Sequence, residues 1–404
     1  MLLAVGVTYR QTSAEVIANL GQQGDAIITN LMQLPSPIHG LAQLATCNRF
    51  ELYLDTEDFP AAVATALAAL AEATPAHHAD VADGFTVWAG PDAVSHLFDV
   101  AAGWDSMVVG ETEITGQVRT AFRDGQQTLT PALTRVGDAA LAHARLSGRA
   151  TGRGIAAPSL AGAGLDVALA QSGQVDTPAT LVVGTGRFAH VVVTELVRRG
   201  ITAISVFSRG DRAYRFARTN PVTPVDTEGL PDALTQTDVV IACGGYREAV
   251  VTPATLQRRS ERPLTLLDLT GGTDLDPGVA RLAGVRVITL DDLGRRTPTP
   301  ASSPATDPGR TSAAVAAFLA EEQGRTAAAT VTALRDHVSR LVAAELASLQ
   351  REEHIAAEVT RALHRVTNAL LHEPTIRATA AARAGDLAAY QQALQTVFGI
   401  EVES

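Results

Sequence analysis

Residues 180–190, TLVVGTGRFAH, decide how the middle of this chain folds. The stretch reads as a strand, a glycine turn and the start of a helix predicted over Arg187–Arg199. In such a GxGxxA turn the first glycine permits the tight bend, the second lets a pyrophosphate approach the backbone, and the helix N-terminus attracts the phosphates. A Rossmann domain that has lost its cofactor and serves only as a spacer is the alternative. The pattern predicts cofactor contacts from Gly184, Thr185, Gly186, Arg187, Phe188 and Ala189.

The sequence on either side of this turn alternates apolar strands with helices, which is typical of a parallel sheet covered on both faces. A connecting helix is predicted over Leu160–Gln171. We therefore expect a Rossmann-type domain over residues 155–296. Its strands are predicted over Thr180–Val183, Ala203–Phe207, Asp238–Ala242, Leu264–Leu269 and Val285–Leu290.

The second of these strands ends at Ser208 and Arg209, where a domain that binds NAD normally has an acidic residue for the ribose hydroxyls. A guanidinium suits a 2′-phosphate instead, because it can donate two parallel hydrogen bonds to it. Ser208 and Arg209 therefore predict NADPH as the cofactor. The alternative is that these are surface residues on a solvated turn.

Residues 1–154 read as a mixed α+β domain. Strands are predicted over Leu2–Val7, Phe50–Leu54 and Phe85–Ala89. Helices are predicted over Ser13–Leu20, Pro60–Glu72, Pro91–Ala102, Glu111–Phe122 and Pro131–Arg149.

Residues 297–404 begin with a proline-rich segment of fourteen residues, which predicts a linker, and a helix is expected to begin near Thr311. Apolar side chains then recur at helical spacing over residues 331–341 and 355–370, and a break is expected at His372–Pro374. A bundle closed within one chain is possible from this pattern. Pairing with a second copy is favoured, because three isolated helices bury little surface. The segment therefore predicts an all-helical domain that forms a homodimer.

Composition excludes several classes of function. All 32 basic residues are arginine, so a Schiff-base lysine and a P-loop lysine are excluded. The net charge of −11 argues against DNA binding, although a local basic face can hold RNA. Two cysteines exclude a disulfide scaffold and a cysteine-based zinc site, and they predict a reducing, cytoplasmic setting without a metal. No apolar stretch is long enough to span a membrane, and the N-terminus lacks the features of a signal peptide.

Cys47 stands among polar residues at a predicted loop-to-strand junction, in the stretch ATCNRFE. The thiolate is the reactive form of cysteine, and Arg49 is expected to favour it. From these residues alone, Cys47 is either a nucleophile or an inert core thiol, whereas Cys243 ends an apolar strand and is expected to be structural. A thiol and a nicotinamide cofactor together predict one reaction class, in which a thioester forms from an activated acyl group and is reduced to an aldehyde.

Several colinear blocks carry a resemblance that extends this interpretation. They are TCNR at 46–49 followed by Glu51, SHLF at 95–98, GWDSMVVGE at 103–111, ITGQV at 114–118 and LLHEPT at 370–375. On these blocks the chain resembles the glutamyl-tRNA reductase family over essentially its whole length. The chain departs from the family pattern at Tyr9, Thr112–Glu113, Ser208–Gly210, Asp268–Gly272 and the proline-rich segment.

The resemblance implies roles for individual residues. Cys47 would attack the aminoacyl ester, and His96 would orient or protonate groups near it. An arginine fork suits the side-chain carboxylate of a glutamyl substrate, and carboxylates suit its α-ammonium. The residues implied to hold the glutamyl group are Thr46, Asn48, Arg49, Ser106, Glu111, Glu113 and Gln117.

The expected activity is NADPH-dependent reduction of glutamyl-tRNA(Glu) to glutamate 1-semialdehyde, the first step of tetrapyrrole (porphyrin and haem) biosynthesis from glutamate. The resemblance also implies that glutamate-1-semialdehyde aminomutase docks transiently to receive the reactive aldehyde. A dehydrogenase of the shikimate type is one alternative, although such enzymes typically need a lysine that this chain lacks. A non-catalytic tRNA-binding or regulatory dimer that keeps the cofactor fold is the other.

Overall fold

The computed structural model describes residues 1–33, 35–74, 84–124, 128–150, 159–172, 177–246, 248–259, 262–296, 308–348 and 353–400. Two compact units make up the chain, Met1–Thr311 and Ser312–Ser404. The predicted domain boundary near Gly154 and most of the proline-rich linker lie outside the described residues. None of the helices in the described part of the chain is both long and apolar enough to cross a membrane.

The larger unit begins with an antiparallel sheet of four strands in the spatial order β2-β3-β1-β4. The strands are β1 (Leu2–Thr8), β2 (Ile38–Ala45), β3 (Arg49–Thr56) and β4 (Thr86–Ala89). The helices around it are α1 (Ala14–Gln22), α2 (Gly24–Leu31), α3 (Phe59–Ala73), α4 (Pro91–Ala101), α5 (Glu113–Asp124) and α6 (Pro131–Ala150).

Helices cover both faces of this sheet, so successive residues of β1 and β3 are buried alike and do not alternate with exposed ones. The sequence analysis does not predict α2 and β2. In β2 the polar residues His39 and Gln43 interrupt the apolar pattern, and the pairing with β3 shifts register between Ile38 and Gly40.

A parallel sheet of six strands follows in the same unit, in the spatial order β10-β9-β8-β5-β6-β7. The strands are β5 (Thr180–Val183), β6 (Ile204–Phe207), β7 (Thr223–Val225), β8 (Val239–Ala242), β9 (Leu264–Asp268) and β10 (Val285–Ile288). The helices are α7 (Leu160–Gln171), α8 (Arg187–Arg198), α9 (Arg212–Ala217), α10 (Leu230–Gln236) and α11 (Leu290–Arg296).

This strand order confirms the Rossmann-type prediction. The chain enters at β5, runs outward to β7 and then crosses back to β8, so β5 and β8 flank the point where such sheets bind their ligands. The strand β7 escapes prediction because it has three residues, lies at the sheet edge and holds Pro224.

The N-terminal domain and the parallel sheet share part of a hydrophobic core. Ala14 and Met107 of the N-terminal domain belong to the same buried cluster as Leu267 in β9 and Leu269 just after it. Cys47 packs against that cluster. The N-terminal domain therefore packs against the parallel sheet through the side that contains Cys47.

The smaller unit is helical, as predicted, and contains most of α12 (Pro308–Ser348) together with α13 (Glu353–Ala384) and α14 (Leu387–Phe398). The helix α12 begins three residues before the predicted start at Thr311. A small core joins the three helices through Leu334, Leu371, Leu394 and Ile400.

The break predicted at His372–Pro374 is wrong, because α13 continues through Pro374. A proline removes one backbone donor from a helix, and the cost is reduced where neighbouring groups hold the chain in place. Here the hydroxyl of Thr375 donates to the carbonyl of Leu371 at 2.7 Å, and the hydroxyl of Tyr390 in α14 donates to the carbonyl of Pro374 at 2.9 Å.

Candidate active site

Cys47 lies at the tip of the hairpin that joins β2 to β3. The hydroxyl of Thr46 accepts hydrogen bonds from the backbone N–H groups of Asn48 and Arg49, both at 3.1 Å. The N–H of Thr46 donates to the carbonyl of Arg49 at 2.9 Å and closes the turn. Thr46 therefore shapes the turn that presents the half-buried thiol.

The buried guanidinium of Arg49 has acidic partners of its own. Nη1 donates to Glu51 Oε1 at 2.7 Å and to Asp105 Oδ2 at 3.2 Å, and Nη2 donates to the carbonyl of Asp105. The expectation that Arg49 favours the thiolate is therefore wrong. Burial, with the negative charge of Glu111, raises the pKa of the Cys47 thiol to about 12.

His96 belongs to the same buried charge network. Its Nε2 lies 3.0 Å from Glu51 Oε1, and its ring stacks on Trp88 with the centroids 3.8 Å apart. The hydroxyl of Tyr53 donates to the other oxygen of Glu51 at 2.7 Å. Burial alone would raise the pKa of Glu51, but Arg49 and His96 lower it to about 2. His96 thus pairs with Glu51, and a direct catalytic role for His96 stays a prediction.

A cavity of about 390 Å³ opens at Cys47, between the N-terminal domain and the parallel sheet. The predicted substrate residues that line it are Thr46, Asn48, Glu111, Glu113 and Gln117. The Rossmann domain contributes Phe188, Cys243, Gly244, Gly245, Leu269, Thr270 and Thr273. Of the predicted catalytic and substrate residues that the structure describes, Arg49, Ser106 and His96 lie outside this lining. Of the predicted cofactor residues that it describes, Phe188 alone belongs to it.

Two carboxyl groups line the cavity beside the thiol. Burial raises the pKa of Glu111 to about 7, the charge of Glu113 adds to the effect, and the hydroxyl of Ser106 opposes it. Burial also raises the pKa of Glu113. Glu113 Oε2 and Asn48 Oδ1 are buried and have no hydrogen-bond partner among the residues that the structure describes. Buried acceptors are costly to leave unpaired, so this corner suits a ligand that brings N–H donors and positive charge.

The glycine turn fits a dinucleotide. Gly184 has a φ of 126°, and a Cβ there would lie 2.8 Å from the Cα of Gly244, so no side chain is accommodated. A Cβ on Gly186 would meet nothing within 4 Å, and α8 begins without a capping side chain from the described residues. Ala189 is buried, and only the backbone of Arg187 is described. The first N–H groups of α8 are therefore accessible to phosphate oxygens.

The end of β6 places the two predicted phosphate residues differently. Ser208 is wholly buried, and its hydroxyl accepts hydrogen bonds from Tyr246 at 2.9 Å and from Thr185 at 3.3 Å. Arg209 is 44% exposed, pairs with Glu248 at 3.4 Å and lies 5.3 Å from the ring centroid of Tyr246. Arg209 is thus accessible to a 2′-phosphate, whereas Ser208 is covered.

Two residues of this region escape prediction from sequence. Tyr246 reaches Ser208 only because β8 lies beside β5, which the strand order decides. Asp274 is wholly buried and accepts hydrogen bonds from the N–H groups of Gly244 at 2.6 Å and Tyr246 at 2.7 Å. Burial raises the pKa of Asp274 to about 6, and these N–H groups oppose the rise. No sequence motif marks either residue.

The fold and the cavity define an oxidoreductase whose parallel-sheet domain is of the type that binds a nicotinamide dinucleotide. Comparison with known families assigns each part of the chain. Residues 5–150 match the model of the glutamyl-tRNAGlu reductase N-terminal domain, and residues 311–400 match its dimerisation domain. Residues 166–295 match the model of shikimate / quinate 5-dehydrogenase.

Whole-length relatives agree with these matches. The glutamyl-tRNA reductase of Paenarthrobacter aurescens is 34% identical over 416 residues, covering 100% of this chain and 94% of its own. Those of Renibacterium salmoninarum and Salinispora tropica are both 35% identical and cover 100% and 99% of this chain and 92% of their own lengths. The chain belongs to the glutamyl-tRNA reductase family. A catalytic protein is therefore favoured over a non-catalytic dimer that merely keeps the cofactor fold.

Proposed function

We propose that this protein reduces glutamyl-tRNA(Glu) to glutamate 1-semialdehyde with NADPH, through a thioester on Cys47, as the first step of tetrapyrrole biosynthesis. One observation carries the proposal: Cys47 and the loop after β8 line a single cavity. That cavity joins a nucleophile to the switch point of the parallel sheet, where a Rossmann domain holds its dinucleotide. Both cysteines are free thiols, which suits a cytoplasmic location.

The groups that we assign to the chemistry of the first half-reaction belong to the N-terminal domain. The sulfur of Cys47 bonds to the ester carbonyl carbon, and the bond from that carbon to the ribose oxygen of the tRNA breaks. Because the pKa of the thiol is about 12, its proton has to leave as the new bond forms. Glu111 lines the same cavity and has a pKa of about 7, so it is suited to accept this proton and to pass it to the departing ribose oxygen, which leaves as a hydroxyl.

The glutamyl group is held by the unpaired acceptors of the cavity. Glu113 and Asn48 accept hydrogen bonds from the α-ammonium, which supplies the donors that their buried oxygens lack. The side-chain amide of Gln117 donates to the substrate's carboxylate. Substrate binding by Arg49 stays a prediction, because Glu51 and Asp105 already occupy its guanidinium. Arg49 instead fixes the hairpin that presents the thiol.

The cofactor is held by the Rossmann domain. The turn from Gly184 to Gly186 binds the pyrophosphate, and Arg209 exchanges its exposed contact with Glu248 for the 2′-phosphate. When bound, NADPH supplies the hydride that, together with a proton, converts the thioester into the aldehyde and the free thiol. Gly244 carries no side chain that would fill the cavity at the end of β8.

The helical unit serves as the dimer contact. Leu341, Val366 and Leu370 lie on the predicted apolar stripe and are 57%, 56% and 68% exposed in the single chain. Apolar side chains exposed together on helices are typical of a surface that a partner covers. We assign this surface to a second copy of the chain. The aldehyde product is reactive, so its transfer to a docked aminomutase completes the proposed function.

Trapping the acyl-enzyme tests the proposal. Glutamyl-tRNA is mixed with the protein without NADPH, and the digested protein is examined by mass spectrometry. The glutamyl mass is expected on the peptide that contains Cys47 and is expected to vanish in Cys47→Ser. Cys243→Ser is the matched control, since Cys243 lines the same cavity, and it should keep both the adduct and NADPH oxidation. A glutamyl adduct on Cys243 alone, or reduction by Cys47→Ser, would overturn the assignment.

A further inference from the structure

The loop that follows β9 approaches the N-terminal domain backbone to backbone. Gly271 in this loop has a φ of 75°. A Cβ built on it would lie 2.6 Å from the carbonyl oxygen of Ala14 and 3.1 Å from its carbonyl carbon. Side-chain rotation cannot relieve such a contact, because the opposing atoms belong to the backbone of the first turn of α1. A glycine is therefore required here both by the backbone angle and by the closeness of the two domains.

Both sides of this contact are held firmly. Asp268, at the end of β9, accepts hydrogen bonds from the N–H and the hydroxyl of Thr270, at 2.8 and 2.7 Å. Ser13 caps α1 by accepting a hydrogen bond from the N–H of Val16. Ala14 itself is buried in the core that the two domains share. Neither side is free to move away without disturbing that core.

The contact lies beside the cavity that contains the thiol. Leu269 and Thr270, the two residues before Gly271, line the cavity from the Rossmann domain. Ile17 and Ala18 of α1, just after Ala14, line it from the other side. The distance between the two domains at Gly271 therefore sets the width of the cavity across which a hydride would have to travel.

We propose that Gly271 is a positioning residue for the reductive half-reaction, a role that rests on the proposed function. A side chain at this position moves the loop away from Ala14 by about 0.8 Å, from 2.6 Å to the 3.4 Å of ordinary contact. A misplacement of about 1 Å between reacting groups can slow a reaction by about 100-fold. The groups proposed to carry out acylation of Cys47 belong to the N-terminal domain, and those proposed to bind the cofactor belong to the Rossmann domain. A side chain at position 271 should therefore slow the reduction and leave the acylation of Cys47 unchanged.

The test compares Gly271→Ala with Gly272→Ala. Gly272 also has a positive φ, of 93°, but a Cβ there would meet nothing within 4 Å, so it matches the backbone strain without the contact. Three quantities are measured for each protein: thioester formation on Cys47 without NADPH, the dissociation constant for NADPH, and the single-turnover rate of NADPH oxidation with glutamyl-tRNA. Gly271→Ala should lower the oxidation rate by about 10- to 100-fold and leave the first two quantities within about 2-fold of wild type. Gly272→Ala should keep all three.

The outcomes separate this proposal from the proposed function. Absence of a thioester in the wild-type protein would overturn the function itself. If the wild-type protein forms the thioester, two results would overturn the role of Gly271. One is an equal loss of NADPH oxidation in both variants. The other is a loss of acylation together with oxidation in Gly271→Ala. Should Gly271→Ala fail to bind NADPH, Thr270→Val replaces it, because it removes the hydrogen bond from the Thr270 hydroxyl to Asp268 and keeps the one from the Thr270 N–H. That variant should slow oxidation and spare acylation, and an unchanged oxidation rate would then refute the proposal.

Discussion

Replacing Glu51 with Gln removes the central charge of the buried network beside the hairpin that carries Cys47. Glu51 is wholly buried and contacts Arg49 at 2.7 Å, His96 at 3.0 Å and Tyr53 at 2.7 Å. Its pKa falls from 4.5 to about 2, and each unit corresponds to ~1.4 kcal/mol, so the fold favours the carboxylate by about 3 kcal/mol. The loss leaves Arg49 buried with Asp105 as its remaining acidic partner. Since breaking a buried pair costs roughly 3–5 kcal/mol, we expect the free energy of unfolding to fall by about that amount.

Urea unfolding followed by tryptophan fluorescence measures this change where it occurs. The chain has two tryptophans, Trp88 and Trp104, and both lie in the N-terminal domain. Trp88 stacks on His96, so its emission reports directly on the network. The matched control is Asp232→Asn, which breaks the exposed pair with Arg258 at 2.8 Å and should cost less than about 1 kcal/mol. A loss in Glu51→Gln no larger than in this control would refute the reasoning.

The same substitution has a pH dependence whose sign follows from the lowered pKa. A carboxyl group with a folded pKa below its unfolded pKa stabilises the fold fully above the unfolded value, and this contribution is lost as the pH falls through the folded value. The wild-type protein should therefore lose stability between pH 4.5 and about 2 through Glu51. Glu51→Gln lacks this titration, so the difference in stability between the two proteins should narrow over that range. A constant difference would assign the destabilisation to packing instead of charge.

Three further outcomes are expected. Because the charge of Glu113 helps to raise the pKa of Glu111 to about 7, Glu113→Gln should move the acid limb of the kcat/KM profile to lower pH, and an unmoved limb would exclude Glu111 as the titrating group. Arg209→Asp should weaken NADPH binding by about 1–3 kcal/mol in calorimetry and leave NADH binding nearly unchanged. Equal weakening of both would refute the contact between Arg209 and the 2′-phosphate. Leu370→Glu should convert the dimer into a monomer in sedimentation velocity without changing the dissociation constant for NADPH, and a persisting dimer would place the interface elsewhere.

The parts of the fold that sequence predicts are those that local patterns determine. The glycine turn at Gly184–Gly186 needs only its own residues and the strand and helix beside it, so its form and its domain follow from a short stretch. The same holds for α7, which begins after the capping Ser159. The irregular strand β2 and the proline within α13 depend on neighbours far along the chain, and there local patterns mislead.

The direction in which a charged side chain points is a second quantity that sequence does not determine. Arg49 follows Cys47 by two positions, and nearness along the chain suggests that it acts on the thiol. Side chains two positions apart share one face of a strand, and Arg49 and Glu51 both belong to β3, so the guanidinium meets the carboxylate of Glu51. Tyr246 and Asp274 show the same limit, because their partners are fixed by strand order.

The raised pKa of Cys47 is consistent with its proposed role as a nucleophile once the charge of the proposed substrate is counted. After burial, the carboxylates of Glu111 and Glu113 are among the groups that raise this pKa. In the proposed binding mode the α-ammonium of a glutamyl ester lies at Glu113, where it would offset part of the negative charge that opposes the thiolate. The thiol of the protein alone therefore stays protonated and resists adventitious alkylation and oxidation. Binding of such a substrate would lower the cost of ionisation at the moment of attack, and in this way Glu113 would link recognition of the amino group to activation of the sulfur.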